Sequence, residues 1–123
     1  MRRLHRVMMM SGLAVLLALV TATSAFAVTM STVGASGRIT TPAASDPDYC
    51  LLTTCLWATD TSPDGYCARW QKWNRTYAGW EWYGNAACTV SREELVAYAA
   101  PNGAYRLCRT GIFNCTPSVT VNW

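Results

Sequence analysis

The chain has 123 residues, with ten Lys and Arg against seven Asp and Glu, six Cys and a single His. Arg2, Arg3 and Arg6 supply the whole positive surplus, so the remainder is neutral and shows no electrostatic footprint for nucleic acid or anionic membrane. His5 lies in the same N-terminal stretch, which removes Ser-His-Asp and Cys-His catalysis and the commonest zinc ligand from the rest of the chain.

Residues 1–27 read as an export leader of bacterial, Sec type. Arg2, Arg3, His5 and Arg6 form a charged start, Val7 to Val20 is mostly apolar, and Ala25-Phe26-Ala27 is a small-x-small cleavage site. The apolar run falls short of the about 20 residues a spanning helix needs. The leader therefore implies a secreted protein, cleaved after Ala27, with no stable membrane insertion afterwards. Residues 28–48 are rich in Ser, Thr, Ala, Gly and Pro and read as a flexible lead-in.

A small disulfide-rich domain is expected over 49–123. Cys50, Cys55, Cys67, Cys88, Cys108 and Cys115 all follow the leader, and an even set in a short exported chain reads as a disulfide framework. The favoured pairing is sequential: Cys50–Cys55, Cys67–Cys88 and Cys108–Cys115. Cys50 to Ala58 is predicted as a strand, and Asp60 to Gly65 as a turn. Tyr66 to Trp73 and Thr76 to Tyr83 read as a hairpin turning at Asn74-Arg75. In its second strand Ala78, Trp80 and Trp82 share one face, and Tyr77, Gly79, Glu81 and Tyr83 the other. Ser91 followed by Glu94 has capping-box spacing, which predicts one short helix over 92–100. Ala104 to Arg109 and Ser118 to Trp123 complete a mainly β domain, a small antiparallel sheet or sandwich.

Cys50-x4-Cys55-Leu56-Trp57 with Asp60 and Gly65 resembles the first Greek-key strand of small secreted bacterial inhibitors with a β/γ-crystallin-like fold. Pro63 stands where that family has its second aromatic residue, and no second copy of the motif is visible. The resemblance implies a small β domain and raises the inhibitor reading.

The functional signal is aromatic. Trp70, Trp73, Trp80 and Trp82 crowd one stretch together with Arg69, Lys72 and Arg75, and aromatic plus Arg is the composition of interface hot spots. These seven residues are the candidate binding set. The competing reading makes the tryptophans core filler in a domain short of Leu, Ile and Phe. The expected function is a secreted, non-catalytic binding protein, extending to inhibition of an extracellular enzyme. The expected partner is an extracellular protein or polysaccharide. A carbohydrate- or cell-wall-binding module and a secreted antimicrobial or toxin-like protein are the alternatives.

No cofactor or metal is expected. Asp60-x-Ser62-x-Asp64-Gly65 begins like a calcium loop, but Gln71 stands where the bidentate Glu belongs. Glu81, between two tryptophans, is the carboxylate most suggestive of a raised pKa, and it lacks an evident second carboxylate for glycoside hydrolysis.

Overall fold

The computed structural model describes residues 27–42, Cys50 and residues 52–122. Residues 1–26, on which the expected leader falls, the segment 43–49, Leu51 and Trp123 lie outside the described residues. Eight strands follow one another: β1 (Ala27–Thr32), β2 (Ala35–Thr40), β3 (Cys55–Asp60), β4 (Ala68–Asn74), β5 (Gly79–Ala87), β6 (Glu93–Ala97), β7 (Gly103–Arg109) and β8 (Val119–Val121). They form two four-stranded sheets, ordered β1-β2-β3-β6 and β5-β4-β7-β8, with every pairing between these strands antiparallel. The fold class is mainly β.

β3 and β6 are neighbours in the first sheet, and β4 and β7 are neighbours in the second. Because both pairs are antiparallel, the crossing from β3 to β4 leaves at the Asp60 end and the crossing from β6 to β7 at the opposite, Ala97 end, so the two lock the sheets together from both ends of the sandwich. Between the sheets lies one core containing Trp70, Tyr105, Leu107, Ile39, Leu56, Val96 and Val121. Trp70 is fully buried, and its indole N–H donates to the Trp57 carbonyl across the sandwich at 3.0 Å. That carbonyl sits where the β3–β6 register slips between Leu56 and Trp57. Gly37 makes room for the ring: a Cβ there would lie 2.8 Å from the Trp57 carbonyl oxygen and 2.9 Å from Trp70 Cζ2.

Three expectations are corrected. Residues 28–42 are not a flexible lead-in. β1 and β2 form a hairpin that brings Ala35 and Ile39 into the core, with Val28 and Met30 packed against it. The small residues that suggested a linker suit a strand laid against a bulky indole, and Gly34, at φ +83°, closes the turn. Arg109 fills the space beside Gly34 and forms an ion pair with Asp64, which ties this turn to the second sheet. The predicted helix over 92–100 is strand β6. Ser91 adopts φ +60° and donates its N–H to the Asp60 carbonyl at 2.8 Å, so it is a left-handed corner and not a helix cap. Pairing with β3 and burial of Val96 outweigh a weak local helix signal. The hairpin turn falls over residues 75–78 and not at Asn74-Arg75, so the second strand starts at Gly79.

The disulfides join Cys50 to Cys55, Cys67 to Cys88 and Cys108 to Cys115. The first forms a small outer cluster with Trp57 and Leu95.

Candidate functional site

Period-two alternation divides the tryptophans of the hairpin. On β4, Trp70 points inward, while Arg69, Gln71 and Trp73 point outward. On β5, Tyr83 lies opposite Trp70, so Trp80 and Trp82 point outward with them. On β7, Arg106 lies opposite Gln71 and shares that outer face. One flat side of the second sheet thus carries three half-buried tryptophans and two arginines.

These side chains hold one another. Arg106 crosses over β4: its Nε donates to Gln71 Oε1 at 2.8 Å, and its guanidinium carbon rests 4.4 Å from the Trp80 ring centre. Trp80 meets Trp73 edge to face at 5.4 Å. Arg69 donates from Nε to the Gly84 carbonyl at 3.0 Å and lies 5.5 Å from the Trp82 ring centre. Phe113 stacks on Trp82 at 6.1 Å with 26° between the planes. Burial pushes the Arg106 pKa below its ordinary value, but guanidinium remains cationic at neutral pH.

Phe113 comes from the loop between β7 and β8. It adopts φ +50° and is 64% exposed. A non-glycine residue in this region costs roughly 1–2 kcal/mol, and the surrounding loop has to hold it there. The Cys108–Cys115 disulfide and the Arg109 N–H to Asn114 carbonyl bond close the loop. Gly111 packs under Tyr66 at its base.

The first sheet offers a contrast. There Arg38 also lies over an indole, 4.4 Å from Trp57, but Glu93 neutralises it through two contacts of 2.7 and 3.0 Å. On the second sheet, Arg69 and Arg106 have only neutral acceptors among the described residues.

Of the seven predicted binding residues, Trp73, Trp80, Trp82 and Arg69 share this face. Trp70 does not: it is core, because its strand parity aims it between the sheets. Lys72 has the parity of Trp70 and lies opposite Glu81 near the strand end, and Arg75 sits in the exposed turn. Arg106, Gln71 and Phe113 belong to the face and went unread in the sequence. Arg106 arrives through pairing of strands 35 residues apart, which local spacing cannot show. Phe113 had a readable signal, an apolar Ile112-Phe113 pair inside a short disulfide loop.

The suspected acidic residues have other tasks. Glu81 accepts from Tyr77 Oη and, at 3.3 Å, from Asn74 Nδ2. These two bonds, the Tyr77 one foremost, hold its pKa below the usual glutamate value, the opposite of what a general acid requires. The flanking indoles lie on the other face, and the small raising effect of burial is outweighed by these bonds. Asp60 and Asp64 accept the N–H groups of Ser62 and Tyr66, and Asp64 also pairs with Arg109. These bonds account for the calcium-loop-like spacing as turn chemistry. No group of metal-ligating side chains is found among the described residues.

Comparison with protein-family models, curated proteins and solved structures gives no match. The resemblance over Cys50–Gly65 therefore gains no support from that side, and the functional reading rests on the face itself.

Proposed function

We propose that this is a secreted, non-catalytic binding protein that docks an acidic patch of an extracellular protein onto the outer face of its second sheet. The observation that carries the reading is the pair of arginines, Arg69 and Arg106, laid over tryptophans with no carboxylate beside them. Guanidiniums held flat on indoles keep less conformational freedom to lose on binding, and Trp with Arg dominates interface hot spots. The same guanidiniums cover faces of Trp80 and Trp82, which leaves less open ring for stacking sugars and favours a protein partner on this face. Inhibition of an extracellular enzyme is one use of such docking. Three disulfides in a small domain are compatible with an extracellular setting, and the N-terminal leader reading supports export. No helix among the described residues is long and apolar enough to cross a membrane.

Acrylamide quenching of the oxidised protein tests the premise. Trp57 and Trp70 should resist quencher, and Trp73, Trp80 and Trp82 should respond. Capture of secreted proteins on the immobilised chain then tests the reading. Trp82→Ala or Phe113→Ala should weaken a specific capture about 30-fold, the scale of a hot spot. Capture indifferent to both substitutions places the binding surface elsewhere.

A further inference from the structure

Beside Trp73, at the end of the second sheet, lies a cleft of about 650 Å³. This is within the size of small-ligand sites, roughly 300–1,000 Å³. Lys72, Trp73, Arg75, Asn102, Thr120 and Asn122 line it, and no carboxylate is among its lining residues. Lys72 and Arg75 make no ion pair among the described residues. Glu81 is the cross-strand neighbour of Lys72 and feels its charge, but its oxygens are engaged by Tyr77 and Asn74. Asn74 Oδ1 also accepts the Thr76 N–H at 2.9 Å, which fixes the turn that carries Arg75. The cleft, at the end of β4 where both faces of the strand meet, thus combines a tryptophan, amide and hydroxyl groups, and two cations with no carboxylate paired to them.

We propose that this cleft binds an acidic sugar unit, a uronate residue of an extracellular polysaccharide. The ring packs on Trp73, the hydroxyls meet the Asn and Thr side chains, and the carboxylate lies between Lys72 and Arg75 as a charge-assisted acceptor. This goes beyond protein docking: of the outer-face residues only Trp73 lines the cleft, and Trp82 and Phe113 lie outside it, so variants at those two positions separate the sites.

Calorimetric titration of the oxidised chain with trigalacturonate, cellotriose and pentaglutamate tests it. Trigalacturonate should bind, more weakly as salt rises, with cellotriose and pentaglutamate at least about tenfold weaker. Lys72→Ala and Arg75→Ala should each reduce trigalacturonate affinity about tenfold, and Trp82→Ala should leave it unchanged. Arg75 is in an exposed turn, so its variant is informative even if Lys72→Ala perturbs folding. Absence of trigalacturonate binding, equal binding of cellotriose, or indifference to Arg75→Ala overturns the proposal. Equal binding of pentaglutamate replaces it with an acidic-peptide site. If Trp82→Ala abolishes trigalacturonate binding while Arg75→Ala does not, the sugar sits on the outer face and the cleft is not its site.

Discussion

Gly37 and Trp70 show how much one residue decides. The indole fits because position 37 has no Cβ, and its N–H is satisfied because the Trp57 carbonyl is in reach. Gly37→Ala should therefore destabilise the fold by about 1–3 kcal/mol through overpacking. Urea unfolding followed by Trp fluorescence measures the loss; an unchanged midpoint means the sheets can part to admit a methyl group at no cost. Tyr105 is a second residue whose surroundings set its chemistry. Its hydroxyl is buried, donates to the Pro101 carbonyl and lies near Tyr83, and burial raises its pKa well above the ordinary 10.0. A phenol whose pKa is raised by folding contributes stability that is full below the unfolded value and lost as pH rises toward the folded one. Stability should thus fall from about pH 10 upward. Tyr105→Phe should flatten that alkaline decline, and unfolding curves between pH 9 and 12 would reveal it. Glu81 works in the opposite sense. Its lowered pKa makes a stabilising contribution above the unfolded carboxylate range that disappears as pH falls through the folded value. Tyr77→Phe should move the Glu81 carboxyl titration, followed by NMR, back toward 4.5.

Among the elements, the loop between β7 and β8 is the one whose covalent closure bears on binding. It holds Phe113 in a left-handed conformation against Trp82. Replacing Cys108 and Cys115 together by Ala should cost roughly 2–3 kcal/mol of stability, as expected for closing so short a loop. It should also weaken capture through the outer face by about the same factor as Phe113→Ala. A double variant that loses stability but retains full capture means the ring finds its place without the disulfide. β4 and β5 were the most legible elements, since their alternation placed Trp80 and Trp82 on one face and Glu81 and Tyr83 on the other. What alternation cannot say is which face meets the core. That depends on the register with β7, where Leu107 and Tyr105 oppose Trp70 and Lys72. Trp70 was consequently placed with the surface aromatics. β6 was misread for a related reason: the spacing of Ser91 and Glu94 is local, whereas the pairing of Leu95 with Trp57 spans the whole second hairpin.

Across the whole molecule, the β class and the concentration of aromatic residues in one hairpin were visible from composition and pattern. The start of the domain was not. A run of Ser, Thr, Ala and Gly resembles a spacer until it is seen lying against Trp70, where small side chains are what the space allows. A chain beginning at Tyr49 would lack two of the four strands of the first sheet and expose Leu107 and Trp70 along the side that Gly37 covers. Such a truncation should be unfolded by near-UV circular dichroism, and a cooperative unfolding transition in it would show the hairpin to be dispensable.

The three disulfides never skip a cysteine: each partner is the next one along the chain. If the chain is exported N-terminus first, as proposed, every bridge can close before the following cysteine emerges, and an isomerase then has no wrong pair to undo. The middle bridge, Cys67–Cys88, joins the connection from β3 to β4 to that from β5 to β6, so one staple clasps two passages of the chain between the layers at the same end of the sandwich.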